Sequence, residues 1–316
     1  MHVSDEEALR MLTFPQFKEQ IMYGGHSACP GCGSTVALRM VLDAVGPHTT
    51  MFVPASCAST YVGSVQSSTR VHAVHCVYPS AFGQAAGYVT ARRMAGDDVQ
   101  VLIWGGDGAF YDIGMDGLSH VAAQGFDIVA VCNDNQGYMN TGHHSSSSTV
   151  LGTGTKLTPA GMRTGHKEIM DIVVAHGVTY AATVSAAYPD DLKAKVVKAT
   201  RLRGFKFLHL LASCVNWGYE VEIGVKLARL AVTTRIHPLY EVEGGAYRFT
   251  HLPPQVPVED YLKLQARFRA TDAAAFQKAI DARFAVLWEK AQGRVEPLVA
   301  DPAGAHMLLP VNENSS

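Results

Sequence analysis

The chain has 316 residues, 47% hydrophobic and 17% charged, with a formal net charge of −2. That is an ordinary globular composition, long enough to bury the core of one large domain or two ordinary ones. It excludes a basic nucleic-acid binder or a lysine-rich membrane-surface protein, and its longest apolar runs are too short to cross a bilayer.

The start, MHVSDEEALRMLTF, lacks the positive stretch and long apolar core of a signal peptide, so a soluble cytoplasmic protein is expected. Residues 1–28 read as an N-terminal arm with one amphipathic stretch and a Gly-Gly break. A helix is predicted over Gly33–Ala44, with Val36, Leu38, Met40, Val41 and Ala44 apolar. Met51–Pro54 reads as a short strand leading to Cys57, Val71–Val77 as another strand, and Gly83–Ala95 as a helix of small residues. The apolar runs Val99–Trp104 and Ile128–Cys132 predict two strands with a helical segment between them. Ser145–Thr158 is a loop of Ser, Thr and Gly, expected to be solvated. A helix over Lys167–His176, a strand over Val178–Val184, a helix over Asp190–Arg201 and a strand over Phe205–Ala212 follow. Such alternation predicts an α/β fold with a doubly wound, mostly parallel sheet, whose buried strands read as continuous apolar runs. After Trp217, Gly244-Gly245 between Tyr- and Val-rich segments signals a C-terminal hairpin, and 258–268 and 273–291 are predicted helices. The expected organisation is an arm (1–28), an α/β domain (29–218), an extension packing on the core or on a partner (219–300) and a frayed tail (301–316).

The most informative stretch is GGDGAFYDIGMDGLSHVAAQGFDIVAVCNDNQGYMNTG, Gly105–Gly142. It puts Asp107, between two glycines, and Asn135 at the carboxyl ends of consecutive strands, where open parallel sheets hold ligands. The glycines allow close backbone approach to a phosphate, and a carboxylate, an amide oxygen and a backbone carbonyl suit Mg²⁺. Gly-Asp-Gly alone is ordinary turn chemistry and Asn-Asp-Asn alone is a loop cap; their spacing on successive strands gives them the shape of a thiamine diphosphate site. No G-x-G-x-x-G follows the first strand, which argues against a dinucleotide enzyme.

Six cysteines in a cytosolic chain are not expected to form disulfides. Cys29-Pro-Gly-Cys32, Cys57 and Cys214 sit at loop positions from which four thiolates can converge, and their spacing alone leaves structural zinc and [4Fe–4S] equally open. Cys76 and Cys132 lie inside apolar strands and are read as core.

Gly-Asp-Gly followed, 28 positions after its Asp, by Asn135, and then by Tyr138-Met-Asn-Thr-Gly142, resembles the β subunit of the 2-oxoacid:ferredoxin oxidoreductases. The resemblance covers residues 20–270, including HSACPGCG at 26–33, Cys57, TGHK at 164–167 and Cys214. It implies that Asp107, the side chain of Asn135 and the carbonyl of Gly137 bind Mg²⁺. It also implies that Gly106, Gly108 and Ala109 approach the diphosphate of thiamine diphosphate, and that Asn140, beside Thr141, stands near the reactive carbon. By the same likeness Cys29, Cys32, Cys57 and Cys214 hold a [4Fe–4S] cluster, matching the family's 25-residue step from Cys32 to Cys57. The implied reaction is oxidative decarboxylation of a 2-oxoacid, pyruvate first, with coenzyme A taking the acyl group and electrons passing singly to ferredoxin. An α-type subunit is implied to complete the thiamine site, with γ and ferredoxin-like δ subunits or their fusions. The chain has no C-x₂-C-x₂-C-x₃-C run for further clusters.

His144 and Val150 depart from the family's usual Gln and Pro, so 2-oxoisovalerate and oxalate stand beside pyruvate. His143-His144 reads either as part of a solvated loop or as a border of the substrate cavity. Tyr111 and Asp112 read either as cofactor-lining or as helix-capping. His72 and His75 read as sheet residues. Lys156, Arg163 and Lys167 read as solvated charges or as grips for an anionic tail such as coenzyme A's. The rival readings are a non-oxidative thiamine enzyme with structural zinc, and a non-catalytic electron-transfer or assembly subunit.

Overall fold

The computed structural model describes residues 21–63 and 67–298; most of the expected arm and the expected tail lie outside the described residues. The strands are β1 (Thr49–Pro54), β2 (His72–Cys76), β3 (Gln100–Gly106), β4 (Ile128–Asp134), β5 (Tyr180–Val184), β6 (Phe205–Leu211), β7 (Leu239–Glu243) and β8 (Ala246–His251). They form one sheet in the order β2-β1-β3-β4-β6-β5-β7-β8. The first six pair in parallel, and β7 joins β5 antiparallel. Every residue of β1, β4 and β5 is buried, as the apolar runs require of strands covered on both faces. β2 is the parallel edge, and its His72 and His75 are exposed sheet residues.

Helices cover both faces. On one, α1 (Gly33–Val45), α2 (Cys57–Val62) and α6 (Pro189–Arg201) pack Leu38, Val41, Tyr61, Leu192 and Val196 against the sheet. On the other lie α3 (Ala81–Met94), α4 (Met115–Ala123) and α5 (Ile169–Val174), through Phe82, Val89, Leu118 and Val173. The last part of the chain adds α7 (Gly224–Thr233), α8 (Glu259–Leu262) and α9 (Ala273–Lys290), packed around Trp217, Leu227, Tyr261 and Phe276. Among the described residues no helix is long and apolar enough to cross a membrane.

The hairpin turns at Gly244 and Gly245, both left-handed (φ 56° and 80°), which suits the twist of its strands. It is pinned to the sheet by Glu241, fully buried and held by Lys198, Arg248 and the Tyr180 hydroxyl.

Two expectations change. The helix predicted over 258–268 is broken: α8 ends at Leu262, Gln265 is extended, and a short 3₁₀ turn carries Ala266–Phe268. In the broken segment Arg267 and Phe268 are both turned inward. The serine-rich loop is not solvated. Ser146, Ser148, Thr149, Thr153 and Thr155 are buried, and the hydroxyls of all but Thr153 serve buried acids and turns.

Candidate active site

Four strand ends meet at the carboxyl edge of the sheet: β1 leads to Cys57, β3 to Asp107, β4 to Asn135 and β6 to Cys214. β1 and β3 are neighbours whose following helices, α2 and α4, lie on opposite faces, the topology that opens a ligand crevice in such sheets.

Asp107 is 1% exposed and accepts a hydrogen bond from the Ser146 hydroxyl. One terminal atom of the Asn135 amide lies 3.2 Å from Asp107 Oδ1 and 2.8 Å from the Gly137 carbonyl oxygen. With nitrogen at that position the amide donates to both. After a half-turn of the amide three hard oxygens face one another, the donor chemistry Mg²⁺ prefers, so the residues fit the ion. Burial, reinforced by the negative Asp134 behind it, pushes the Asp107 carboxyl well above the usual carboxylate range. A cation at these oxygens would reverse that direction.

The loop that carries two of the three donors is held from outside. The Trp217 indole donates to the Asn135 carbonyl at 2.8 Å, and the Asn216 amide to the Met139 carbonyl at 3.3 Å. Between the donors, Gln136 adopts φ 62°, a left-handed conformation that a non-glycine residue keeps only where its surroundings enforce it. Behind the loop, Asp134 accepts from Ser148 Oγ (2.6 Å), Tyr111 OH (3.1 Å), the Gln136 amide (2.7 Å) and His209 Nε2 (3.0 Å). Burial opposes its charge, but these bonds and His209 hold its carboxyl below the usual range. Of this Tyr111–Asp134–Ser148–His209 group only Tyr111 was a sequence candidate, read as cofactor-lining or helix-capping; Asp134, Ser148 and His209 were not. The one sequence signal for these three is His209, a polar residue in the otherwise apolar end of β6 (FLHLL), in register with Cys132 of β4.

The remaining expected residues fall as follows. Gly106 is open, with nothing nearer than Ser56 Cβ at 3.9 Å from where a Cβ would lie. Gly108 is covered by the Tyr138 ring, which a Cβ there would strike. The side chain of Ala109 is fully buried. At Gly137 a Cβ would come 2.7 Å from the His144 carbonyl oxygen. Asn140 and Thr141 are exposed at the end of this loop. Asp112 neither caps a helix nor lies open: it lies in the π-helical turn Gly108–Ile113 and accepts from Tyr138 OH, the Ser147 amide and Lys167. Lys167 is thereby paired, whereas Arg163 is exposed.

Cys76 and Cys132 are buried in their strands. The other four thiols sit close enough to act on one another: Cys32 and Cys29 raise Cys57, and all three raise Cys214. Burial leads in both cases, with Cys57 pushed up to about 11 and Cys214 to about 12. The Cys57 thiol also feels Asp107. The Cys29–Cys32 turn is docked against the Cys214 segment through Gly33, whose amide donates to the Ser213 carbonyl at 3.1 Å. A Cβ on Gly33 would lie 2.6 Å from Ser213 Oγ and 3.0 Å from the Ser213 backbone nitrogen and oxygen. Among the described residues no three His, Cys, Asp or Glu side chains are placed to hold a metal ion together. The donor chemistry of four neighbouring thiols still suits an iron–sulfur cluster.

A cavity of about 500 Å³ lies behind this edge, lined by Tyr111, Asp134, His209, His237, Ile280 and Arg283. Neither Asp107 nor Asn135 lines it.

Residues 55–210 match the model of the C-terminal TPP-binding domain of thiamine pyrophosphate enzymes. The chain is 37% identical to the ketoisovalerate oxidoreductase subunit VorB of Pyrococcus horikoshii, over 86% of this chain and 93% of that protein. It is 35% identical to the pyruvate synthase subunit PorB of Methanocaldococcus jannaschii, over 88% and 99%. Among solved structures, a 2-oxoglutarate:ferredoxin oxidoreductase from Magnetococcus marinus superposes with a TM-score of 0.55 at 20% identity, covering 66% of this chain and 79% of that one, and shares the fold.

Proposed function

This chain belongs to the β subunits of the thiamine diphosphate-dependent 2-oxoacid:ferredoxin oxidoreductases, and from that premise we propose that it carries the diphosphate-binding and electron-relay half of an enzyme acting on pyruvate. The observation that carries this reading is the convergence of the Asp107, Asn135 and Gly137 oxygens beside Cys57 and its three partner thiols. Asp107, Asn135 and the Gly137 carbonyl hold Mg²⁺, and the open backbone at Gly106 with Gly108 and Ala109 receives the diphosphate. Asn140 and Thr141, exposed at the loop's end, face the reacting centre. Cys29, Cys32, Cys57 and Cys214 hold a [4Fe–4S] cluster.

Thiamine diphosphate, when bound, supplies the nucleophilic carbon and the electron sink for loss of CO₂. The chain's own residues do the rest. Asp107 would anchor the Mg²⁺ that offsets the diphosphate charge, Trp217 and Asn216 fix the loop that carries two of the ligands, and the four thiols would hold the cluster that serves as a one-electron exit. Coenzyme A takes the acyl group and ferredoxin the electrons. An α-type subunit supplies the pyrimidine wall, with γ and ferredoxin-like δ subunits completing a cytoplasmic assembly. The relatives' names, pyruvate synthase and ketoisovalerate oxidoreductase, support pyruvate with 2-oxoisovalerate as the second choice.

Viologen reduction by the purified complex, run across pyruvate, 2-oxoisovalerate, 2-oxoglutarate and oxalate with and without coenzyme A, tests this. Reduction with pyruvate is expected. Release of CO₂ without any dye reduction would instead identify a non-oxidative thiamine enzyme.

A further inference from the structure

Behind the cysteine turn, one buried hydroxyl ties together three segments that carry proposed ligands. Tyr61 is 2% exposed and stands four residues after Cys57, on the same face of the short helix α2. Its phenol oxygen accepts from Trp104 Nε1 at 2.8 Å and lies 2.6 Å from Ser34 Oγ. Trp104 is fully buried in β3, the strand that leads to Asp107. Ser34 is in the first turn of α1, just after Cys32. The Tyr61 hydroxyl thus joins the strand of the thiamine site to the two helices that start at thiols.

These groups lie close to the sulfurs. Burial raises the Cys32 thiol, and hydrogen bonds from the Thr35 and Ser34 amides work against that rise. Burial also pushes the Tyr61 phenol up. Ser34 and Trp104 oppose the shift, while Cys32 and Cys57 add to it, so the phenol is within electrostatic reach of both thiols and stays protonated at neutral pH.

Counting protons leaves one over. Tyr61 and Ser34 bring a hydroxyl proton each to a single shared bond, and the Trp104 indole can only donate. The phenol is the stronger acid of the pair and, with its lone pair conjugated to the ring, the poorer acceptor, so Tyr61 donates to Ser34. The Ser34 proton then has no acceptor among the described residues, although Ser34 is only 3% exposed. A buried donor left unused costs stability until something accepts from it.

We propose that the Ser34 hydroxyl, oriented by Trp104 through Tyr61, donates a hydrogen bond to sulfur of the cluster held at Cys29, Cys32, Cys57 and Cys214, and so raises its reduction potential. The proposal rests on the iron–sulfur reading of those cysteines. An electron that enters the cluster adds negative charge to sulfur, and a donor aimed there stabilises the reduced form more than the oxidised one. Each bond of the series polarises the next, so Trp104 and Tyr61 act as positioning residues for a donor they do not themselves present. No proton is transferred: the hydrogen stays on the Ser34 oxygen while single electrons enter and leave.

The test is a redox titration of the anaerobically purified complex followed by electron paramagnetic resonance, with Ser34→Ala, Ser34→Thr and Tyr61→Phe beside wild type. Cys57→Ser marks this cluster among those of partner subunits, because its signal is the one that variant removes. In Ser34→Ala the reduced-to-oxidised ratio at a given potential should fall about tenfold, which for one electron is about 59 mV. Ser34→Thr keeps a hydroxyl and should hold the wild-type midpoint, and Tyr61→Phe should fall part of the way. Iron content and thiamine diphosphate affinity should match wild type in all three. Tyr61→Phe leaves the buried Trp104 donor unpaired and can cost folding, whereas Ser34→Ala trims one small hydroxyl and decides the question by itself. An unchanged midpoint in Ser34→Ala overturns the proposal and leaves the cluster reading standing. An equal drop in Ser34→Ala and Ser34→Thr reduces Ser34 to packing and overturns it too. A wild-type complex without iron at these cysteines would strike the preceding reading, and the donor with it.

Discussion

Asp107 is poised between two charge states. Buried beside a second acid, it is driven towards protonation, and a cation at its oxygens would hold it ionised. Asp107→Asn keeps the shape and removes the charge. Thiamine diphosphate affinity in the assembled complex should then fall by more than the 10- to 100-fold that loss of an outer ligand partner typically costs, with iron content unchanged. Equal affinity by calorimetry would remove Asp107 from the site. His237 carries a different pH signature. Burial, then repulsion from His209, lowers it to about 3, while its Nε2 meets the Val184 carbonyl at 3.0 Å. In the unfolded chain the same imidazole titrates near about 6.5, so below that pH the unfolded state binds a proton that the native state refuses. Stability contributed by neutral His237 is therefore present above about pH 6.5 and falls by up to about 1.4 kcal/mol per pH unit towards pH 3. Denaturant titrations of wild type and His237→Asn between pH 7 and 4 should show a shallower slope in the variant. Parallel slopes would mean that His237 is not held neutral.

At the scale of elements, the parallel strands were legible because a strand covered on both faces cannot alternate, and three of them, β3, β4 and β6, read as largely apolar runs. The broken helix at 258–268 was not legible. Arg267 reads as a surface residue in any local window, and its guanidinium packs on Trp217, fifty positions away. The serine-rich loop misled for a similar reason: hydroxyls that favour solvent when unpaired are buried here because Asp107 and Asp134 accept from them. The start of α1 is the element most exposed to test. Gly33 lets the Cys29–Cys32 turn lie against Ser213, so Gly33→Ala should push that turn off Cys214. Bound iron should fall at least severalfold while the far-ultraviolet circular dichroism stays native. Full iron content would show that the two segments need not touch.

For the whole molecule, the sequence disclosed the site in part and the reason lies in distance along the chain. Asp107, Asn135 and Gly137 fall within one strand–helix–strand unit, so spacing could pair them. Tyr111, Asp134, Ser148 and His209 join only after β4 and β6 become neighbours. Spacing likewise left zinc and an iron cluster open; Cys57 and Cys214 follow β1 and β6, and Cys29 and Cys32 precede α1, segments far apart in the chain. Asn140, Thr141 and the apolar Leu157 and Val77 lie exposed, the last two at 69% and 65%. An obligate partner over such a surface would bury on the order of 2,000 Å² or more. The isolated chain should bind thiamine diphosphate poorly and turn over no 2-oxoacid, and turnover by this polypeptide alone would contradict the half-site. The most direct measurement of the central claim is metal analysis with electron paramagnetic resonance on the anaerobically purified complex, with Cys57→Ser beside wild type. The account predicts about four irons that Cys57→Ser removes. It also predicts a one-electron cluster signal that appears on adding pyruvate and is absent from the variant, with thiamine diphosphate binding retained in both. Stoichiometric zinc with no iron at these cysteines, and no signal on adding any 2-oxoacid, would contradict it.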